Sequence, residues 1–228
     1  MLWMIATAAW AAYPTPDRPY VTRSGALVAA NTLELELGYR YLNVSQVPAA
    51  LKYTVKGGVV EARVEANLSG VGQNAPDLLA GMKVKLLRQE RNSLALWAAS
   101  AVPVGEGEAW RGELHLLFTT VLSSAVGLRV ESGIDFVGGD GINFGGVPLN
   151  AAVTYHPVRR FGLIGEVSGV IGSPGCDDRC IYGNAQVMAG IRGRLTELLV
   201  VDASGGYAFT PDEPFVGVGF TSNFGRVE

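Results

Sequence analysis

The sequence predicts an all-β chain: a single closed antiparallel transmembrane β-barrel of about 12 strands, with short periplasmic turns and longer extracellular loops. Three observations carry this. Period-2 alternation recurs along most of the 228 residues. The connections between these stretches alternate between tight and long. The composition is 48% hydrophobic with a mean hydropathy of +0.23. Yet no apolar run reaches the roughly 18 residues of a transmembrane helix, so the apolar excess is spread through short strands. Thirty glycines and eleven prolines suit many turns and few helices.

The longest apolar run, Met1 to Ala12, stands at the N-terminus, and Ala9-Trp10-Ala11 has the form of an export cleavage site. Residues 1–11 therefore read as a signal peptide, with a buried N-terminal segment as the competing reading. Residues 12–30 read as an extended periplasmic lead-in, and residues 31–228 as the barrel. Strands are expected near 32–42, 49–56, 59–68, 77–87, 93–103 and 112–121, then near 125–137, 148–156, 161–171, 185–194, 198–208 and 214–224. Lys56–Gly58, Ser123–Ser124 and Thr196–Glu197 are tight turns, and Arg88–Asn92 and Pro157–Arg160 are moderate. The opposite rim takes Asn43–Pro48, Ser69–Pro76, Val104–Arg111, Gly138–Val147, Gly172–Asn184 and Thr210–Glu213. An even strand count returns both chain ends to the short-turn rim.

Each strand has two faces. In the first, Leu33, Leu35, Leu37, Tyr39 and Tyr41 alternate with Glu34, Glu36 and Arg40. Val60, Ala62, Val64 and Ala66 oppose Glu61, Arg63 and Glu65; Leu78, Ala80, Met82 and Val84 oppose Lys83 and Lys85. Val126, Leu128, Val130 and Ile134 oppose Arg129, Glu131 and Asp135, and Val187, Ala189 and Ile191 oppose Arg192 and Arg194. Leu94 to Ala98 barely alternates, and its faces stay unassigned.

Alternation does not say which face is inside, and a soluble sandwich would bury the leucines. Three features favour a polar interior. One is the export signal. Another is the clustering of aromatics near strand ends (Tyr39, Tyr41, Tyr53, Tyr155, Phe161, Tyr207, Phe209, Phe215, Phe220 and Phe224), where membrane-interface girdles sit. The third is charge complementarity between neighbouring polar faces: Lys52 opposite Glu34 and Glu36, Glu61 and Glu65 beside Lys83 and Lys85, Arg192 and Arg194 between Glu166 and Asp202. The candidate lumen-lining residues are Glu34, Glu36, Arg40, Lys52, Glu61, Arg63, Glu65, Lys83, Lys85, His115, Arg129, Glu131, Asp135, Glu166, Arg192, Arg194 and Asp202.

Little points to catalysis. His115 shares a face with Thr119 and is expected to point inward; His156 precedes Pro157 at a strand end. A barrel hydrolase would need a nucleophile within reach of such a base, and no motif for one is visible. No enzyme, cofactor or metal is expected. Gly138-Gly139-Asp140-Gly141 offers a lone carboxylate, too few oxygens for calcium. Cys176 and Cys180 read as one disulfide closing a small external loop, with a two-thiol metal site as the thinner alternative. Asn43-Val44-Ser45 and Asn67-Leu68-Ser69 match glycosylation sequons, a match expected by chance in an outer-membrane barrel. A formal charge of −3 gives no reason to expect nucleic acid.

Several stretches resemble a known family. Asp17-Arg18-Pro19 with Val21-Thr22, the strand Thr32 to Tyr41, Asp77-Leu78-Leu79-Ala80-Gly81-Met82-Lys83, Ala101-Val102-Pro103-Val104-Gly105, Phe161 to Glu166 and Pro214 to Gly219 occur in matching order. They are similar to segments of the Gram-negative outer-membrane β-barrels named as transporters of the phenol-degradation meta-pathway. The resemblance implies outer-membrane lipid as the surroundings and passive passage of a small, hydrophobic or aromatic solute, and a count of twelve strands, between filled eight-stranded and open sixteen-stranded barrels, makes the expected channel narrow or partly plugged. It supplies no catalytic residues. One departure is that Gly225-Arg226-Val227-Glu228 follows Phe224, where such barrels finish on an aromatic residue. The alternative function is a non-conducting outer-membrane scaffold or surface-binding protein acting through its loops, chiefly Gly138–Val147 and the cysteine loop.

Overall fold

Alternating β-branched and aliphatic residues, punctuated by glycine-rich turns, leave this chain no stable local structure other than strands, and a strand needs partners on both edges. The computed structural model describes residues 17, 23–42, 44–55, 57–67, 78–102, 110–138, 142–172, 183–209 and 212–226. Its strands are β1 Thr32–Leu42, β2 Val44–Gln46, β3 Pro48–Thr54, β4 Val60–Asn67, β5 Leu78–Arg88, β6 Asn92–Val102, β7 Arg111–Val121, β8 Val126–Gly138, β9 Ile142–Val158, β10 Phe161–Ile171, β11 Gly183–Arg194, β12 Leu199–Ala208 and β13 Glu213–Arg226. Each long strand pairs antiparallel with its neighbours in sequence, and β13 returns to pair with β1, Leu33 opposite Phe224 and Tyr41 opposite Val216. The sheet is a closed barrel of twelve long strands. β2 is an added three-residue strand folded back on the outer end of β1, Tyr41 opposite Ser45.

Closure satisfies the backbone groups that an open edge would leave bare in lipid. Many of the strands hold 11 residues. At about 3.3 Å per residue and a tilt near 40°, such a strand crosses on the order of 25–30 Å, a hydrocarbon core. The outer surface suits that medium. Leu51, Val64, Met82, Leu116, Leu149, Val153, Leu163, Val167, Ile191, Val216 and Val218 all point outward and are exposed, Val167 by 55% and Val216 by 58%. A continuous band of this kind has no counterpart on a water-facing monomer.

Two expectations change in the fold. Gly138–Val147 is not a loop: β8 runs to Gly138, β9 starts at Ile142, and Phe136 pairs with Phe144. A register shift at Asp135/Phe136 takes up one residue, Gly145, between Gly146 opposite Asp135 and Phe144 opposite Phe136, with Gly146 at φ 141°. Phe215 does not belong to the outer aromatic girdle. It is 4% exposed and points into the barrel. The space for its ring comes from Gly206, where an added Cβ would lie 2.5 Å from the ring. The faces of β6 are also settled: Ala95 and Trp97 point inward and are fully buried, while Leu94, Leu96 and Ala98 point out. Cys176, Cys180 and Asp140 lie outside the described residues.

Candidate functional site

The inward face of β1, β3, β4 and β5 is built from ionisable side chains placed at matching heights by the register. Glu34 sits opposite Lys52, Lys52 opposite Arg63, and Glu61 opposite Lys83. Lys52 Nζ reaches Glu34 at 3.1 Å and Glu36 at 2.7 Å; Lys83 Nζ reaches Glu61 at 3.2 Å. Glu34, Glu36 and Glu61 are 0% exposed, and Lys52 and Lys83 are 1% exposed. Charges so far from water persist only in mutual contact, since each alone would lose several kcal/mol of hydration.

Part of this burial comes from the N-terminal segment. Asp17 and residues 23–30 lie within the barrel, where the sequence had suggested a periplasmic lead-in. The Asp17 carboxylate bonds Arg63 directly, and lies 3.1 Å from Lys52 Nζ, 3.7 Å from Lys83 Nζ and 3.7 Å from Arg129 Nη1. Its backbone N–H donates to Glu36 at 2.7 Å, and it accepts from the Ser24 N–H at 2.8 Å. Burial opposes ionisation here, yet Lys52, Lys83, Arg63 and Arg129 outweigh it and hold the Asp17 carboxyl well below the usual carboxylate range.

Arg23 is the positive counterpart. Its Nη1 donates to Glu131 at 2.8 Å, Nη2 lies 3.1 Å from Glu113, and Nε lies 3.6 Å from Glu65. Its guanidinium carbon stands 5.0 Å from the centroid of the Trp97 ring. Trp97 in turn donates Nε1–H to Glu113 at 2.8 Å. Glycine makes the ring's position possible, because a Cβ on Gly81 would come within 2.4 Å of it. Further along, the Gly25 N–H donates to Thr119 and the Val28 N–H to Glu61, Leu27 packs on Trp97, Ala95 and Leu117, and Asn31 (φ 57°) turns the chain into β1.

His115 is 3% exposed, with Nδ1 2.8 Å from Glu131 and Nε2 2.8 Å from Asp135. Two carboxylate partners use both nitrogens as donors, so the geometry is that of an imidazolium ion. This is a bridge between carboxylates. No hydroxyl nucleophile is hydrogen-bonded to it among the described residues.

The remaining arc, β9 to β13, is different in character. Ala152, Ile164, Met188, Ala208 and Phe215 form an inner apolar cluster, with Leu42 against it. Arg40 lies over Phe215 at 4.0 Å and bonds Gln186 at 2.7 Å. Glu166 and Asp202 are buried, Arg192 stands opposite Asp202 in register, and Arg194 is half-buried, as is Arg129 on the adjoining β8. Lys85 sits at the short-turn rim beside Gly58. Lys85 is thus apart from the carboxylates that had been placed beside it, and Glu65 pairs with Arg63, at 2.5 Å, and with Arg23.

The residues missing from the sequence-derived set are Asp17, Arg23, Trp97, Glu113 and Phe215. Glu113 was legible, since it shares the face of His115 and Thr119. Trp97 was hidden by leucine and alanine on both faces of its strand, and Asp17 and Arg23 by lying outside any strand.

No protein-family model and no curated protein matches the sequence. Solved structures do match in shape. The KdgM porin in complex with disordered oligogalacturonate superposes with a TM-score of 0.67 at 8% identity, over 84% of this chain and 99% of that one. The NanC porin gives 0.66 at 10% identity, over 83% and 98%. The COG4313 outer membrane channel from Pseudomonas putida F1 gives 0.61 at 11% identity, over 88% and 98%. Identities this low establish the fold, and the fold is that of the outer-membrane β-barrel channels.

Proposed function

We propose that this protein is an outer-membrane channel for passive passage of a small solute, narrowed by its own N-terminal segment. The observation that supports this is the inversion of faces: ion pairs inside a closed barrel, an aliphatic band outside. An inner wall of ionisable groups offers water and solute a polar path wherever the inner segment leaves room. We further propose that residues 1–11 are removed on export, that Asp17 and residues 23–30 serve as the inner segment of the mature chain, and that Cys176 and Cys180 form a disulfide in an external loop.

Glu61, Arg63, Glu65, Lys83, Arg129, Glu131, Asp135, Arg192 and Asp202 are the wall residues assigned to solute contact. Their mixed signs give weak charge selectivity. Passage of hydrophobic or aromatic solutes, implied by the family resemblance, is consistent with the arc of Ile164, Met188 and Phe215. A second reading, a non-conducting scaffold, draws support from the same inner segment, because Asp17 and Arg23 occupy the lumen. Proteoliposome swelling separates the two. A channel admits small neutral sugars faster than empty liposomes, and faster still when several wall charges are neutralised. A barrel as impermeable as bare lipid in both forms excludes the channel. Cell fractionation with heat-modifiable gel migration tests location and closure together.

A further inference from the structure

We propose that the lumen contains two adjoining solute subsites of opposite charge, filled from within by Asp17 and Arg23. The solutes that take their place are small zwitterions bearing a carboxylate and a guanidinium or primary ammonium group. This rests on the reading that solutes enter the barrel interior, and it names the class that the ionic arc binds, as distinct from the apolar arc of Ile164, Met188 and Phe215.

The two occupants are side chains of a segment that belongs to no strand, yet each is received by wall residues as a ligand would be. Arg63, Lys52 and Lys83 converge on one oxygen of the Asp17 carboxylate. The three nitrogens of the Arg23 guanidinium face three different carboxylates, Glu131, Glu113 and Glu65, over the face of Trp97. A planar cation met by carboxylates at its edge and an indole at its face is the arrangement by which guanidinium groups are recognised. Trp97 also fixes Glu113 through its Nε1–H, so this receptor is held by the wall itself.

The subsites touch. Arg63 bonds Asp17 through Nη1 and lies in ionic contact with Glu65 through Nε, and the same Glu65 oxygen faces Arg23 Nε. One guanidinium and one carboxylate separate the two receptors, a span that a single small molecule bridges. The charges also require both ends. A monoanion leaves Glu65, Glu113 and Glu131 with only the Arg63 and His115 they already share with Asp17 and Asp135; a monocation leaves Lys52, Arg63 and Lys83 without the carboxylate they share. Each omission strands like charges in a poorly hydrated space. A tethered occupant acts at an effective concentration on the order of millimolar, so a free solute displaces it at similar levels.

The test uses the full chain in detergent and in proteoliposomes, with 4-guanidinobutyrate and 6-guanidinohexanoate as probes. Controls are butylguanidinium, which lacks the carboxylate, and 4-ureidobutyrate, which lacks the positive charge. Calorimetric titration of the D17A/R23A variant is expected to give one bound zwitterion, held about tenfold or more tighter than either control. Adding Glu113→Gln is expected to abolish the advantage of guanidinium over ureido. Equal affinity for all probes, or no binding by a variant that still shows heat-modifiable migration, overturns the proposal. If D17A/R23A does not fold, R23A alone is titrated with butylguanidinium against butylurea, and equal affinity there overturns it as well. Swelling in a neutral sugar is measured in parallel. Sugar flux without zwitterion binding removes the subsites and leaves the channel; loss of both removes the channel reading itself.

Discussion

Replacing Asp17 by Asn removes one charge and almost no volume, and the structure sets the size of the effect. The carboxylate is bonded to Arg63, lies 3.1 Å from Lys52 and 3.7 Å from Lys83 and Arg129, and the residue is 2% exposed. Removing one partner of a buried ion pair typically costs about 3–5 kcal/mol, because the other charges stay buried without compensation. Here the loss falls on the bound state of the segment and spares the barrel, whose cations keep Glu34, Glu36, Glu61 and Glu65. It therefore raises the population of released segment by a factor of about 10² to 10³ or more. Trypsin cleavage after Arg23 reads this directly, since Arg23 is reachable only when the segment leaves its carboxylates; with rapid reclosing the rate follows the open population. The sign with pH follows. The Asp17 carboxyl is lowered in the folded state, so its contribution is fully present above the ordinary carboxylate value, near pH 4, and is lost as pH falls through the lowered one. The ratio of the Asp17→Asn rate to the native rate is thus constant from pH 8 to about 5 and shrinks only in stronger acid. Equal cleavage rates for the two proteins at pH 7, with the barrel intact in both, would show that the ion pairs do not hold the segment.

Other outcomes follow from the same physics. Lys52→Met leaves Glu34 and Glu36 without the ammonium they share and is expected to lower stability to urea in lipid vesicles by about 3–5 kcal/mol, while Glu34→Gln and Glu36→Gln in the same chain recover much of it. Val167→Arg, in the middle of β10 on the outer face, is expected to cost about 2–4 kcal/mol on insertion into bilayers; a neutral effect would place that face in water. Gly81→Ala forces the Trp97 ring from its seat and costs about 1–3 kcal/mol, seen as changed tryptophan emission and easier heat unfolding. His115→Phe removes the bridge between Glu131 and Asp135 and is expected to destabilise the barrel more than His115→Gln, which retains hydrogen bonding.

The barrel was legible because its two signals are local. Period-2 alternation is a property of each strand by itself, and Lys52 meets Glu34 and Glu36 because their strands are near neighbours in sequence and the charged residues share the inward parity. Where both faces carry similar residues the signal fails, as at Leu94 to Ala98, and there the placement of Trp97 depends on a glycine in the neighbouring strand. The glycine-rich stretch from Gly138 to Gly146 reads as loop because glycine is rare inside strands, but a bulge in an antiparallel pair accommodates Gly145, and the pairing of Phe136 with Phe144 is a tertiary fact.

The inner segment marks the limit of such reading. Asp17 and Arg23 lie in a polar stretch with no periodicity, and nothing in their neighbourhood distinguishes a water-exposed tail from a ligand for the barrel's own wall. Their partners, however, reveal an asymmetry. Lys52, Arg63 and Lys83 have cross-strand carboxylates of their own, whereas Glu113 and Glu131 stand on adjoining strands with His115 between them and face Trp97, so that this region of the wall carries more acid than base until Arg23 arrives. A polar interior in so little water has to be close to neutral. Around Trp97 the carboxylates Glu65, Glu113 and Glu131 outnumber the Arg63 and His115 that meet them, and this implies a cation supplied from elsewhere, whether by the chain's own segment or by what the barrel admits.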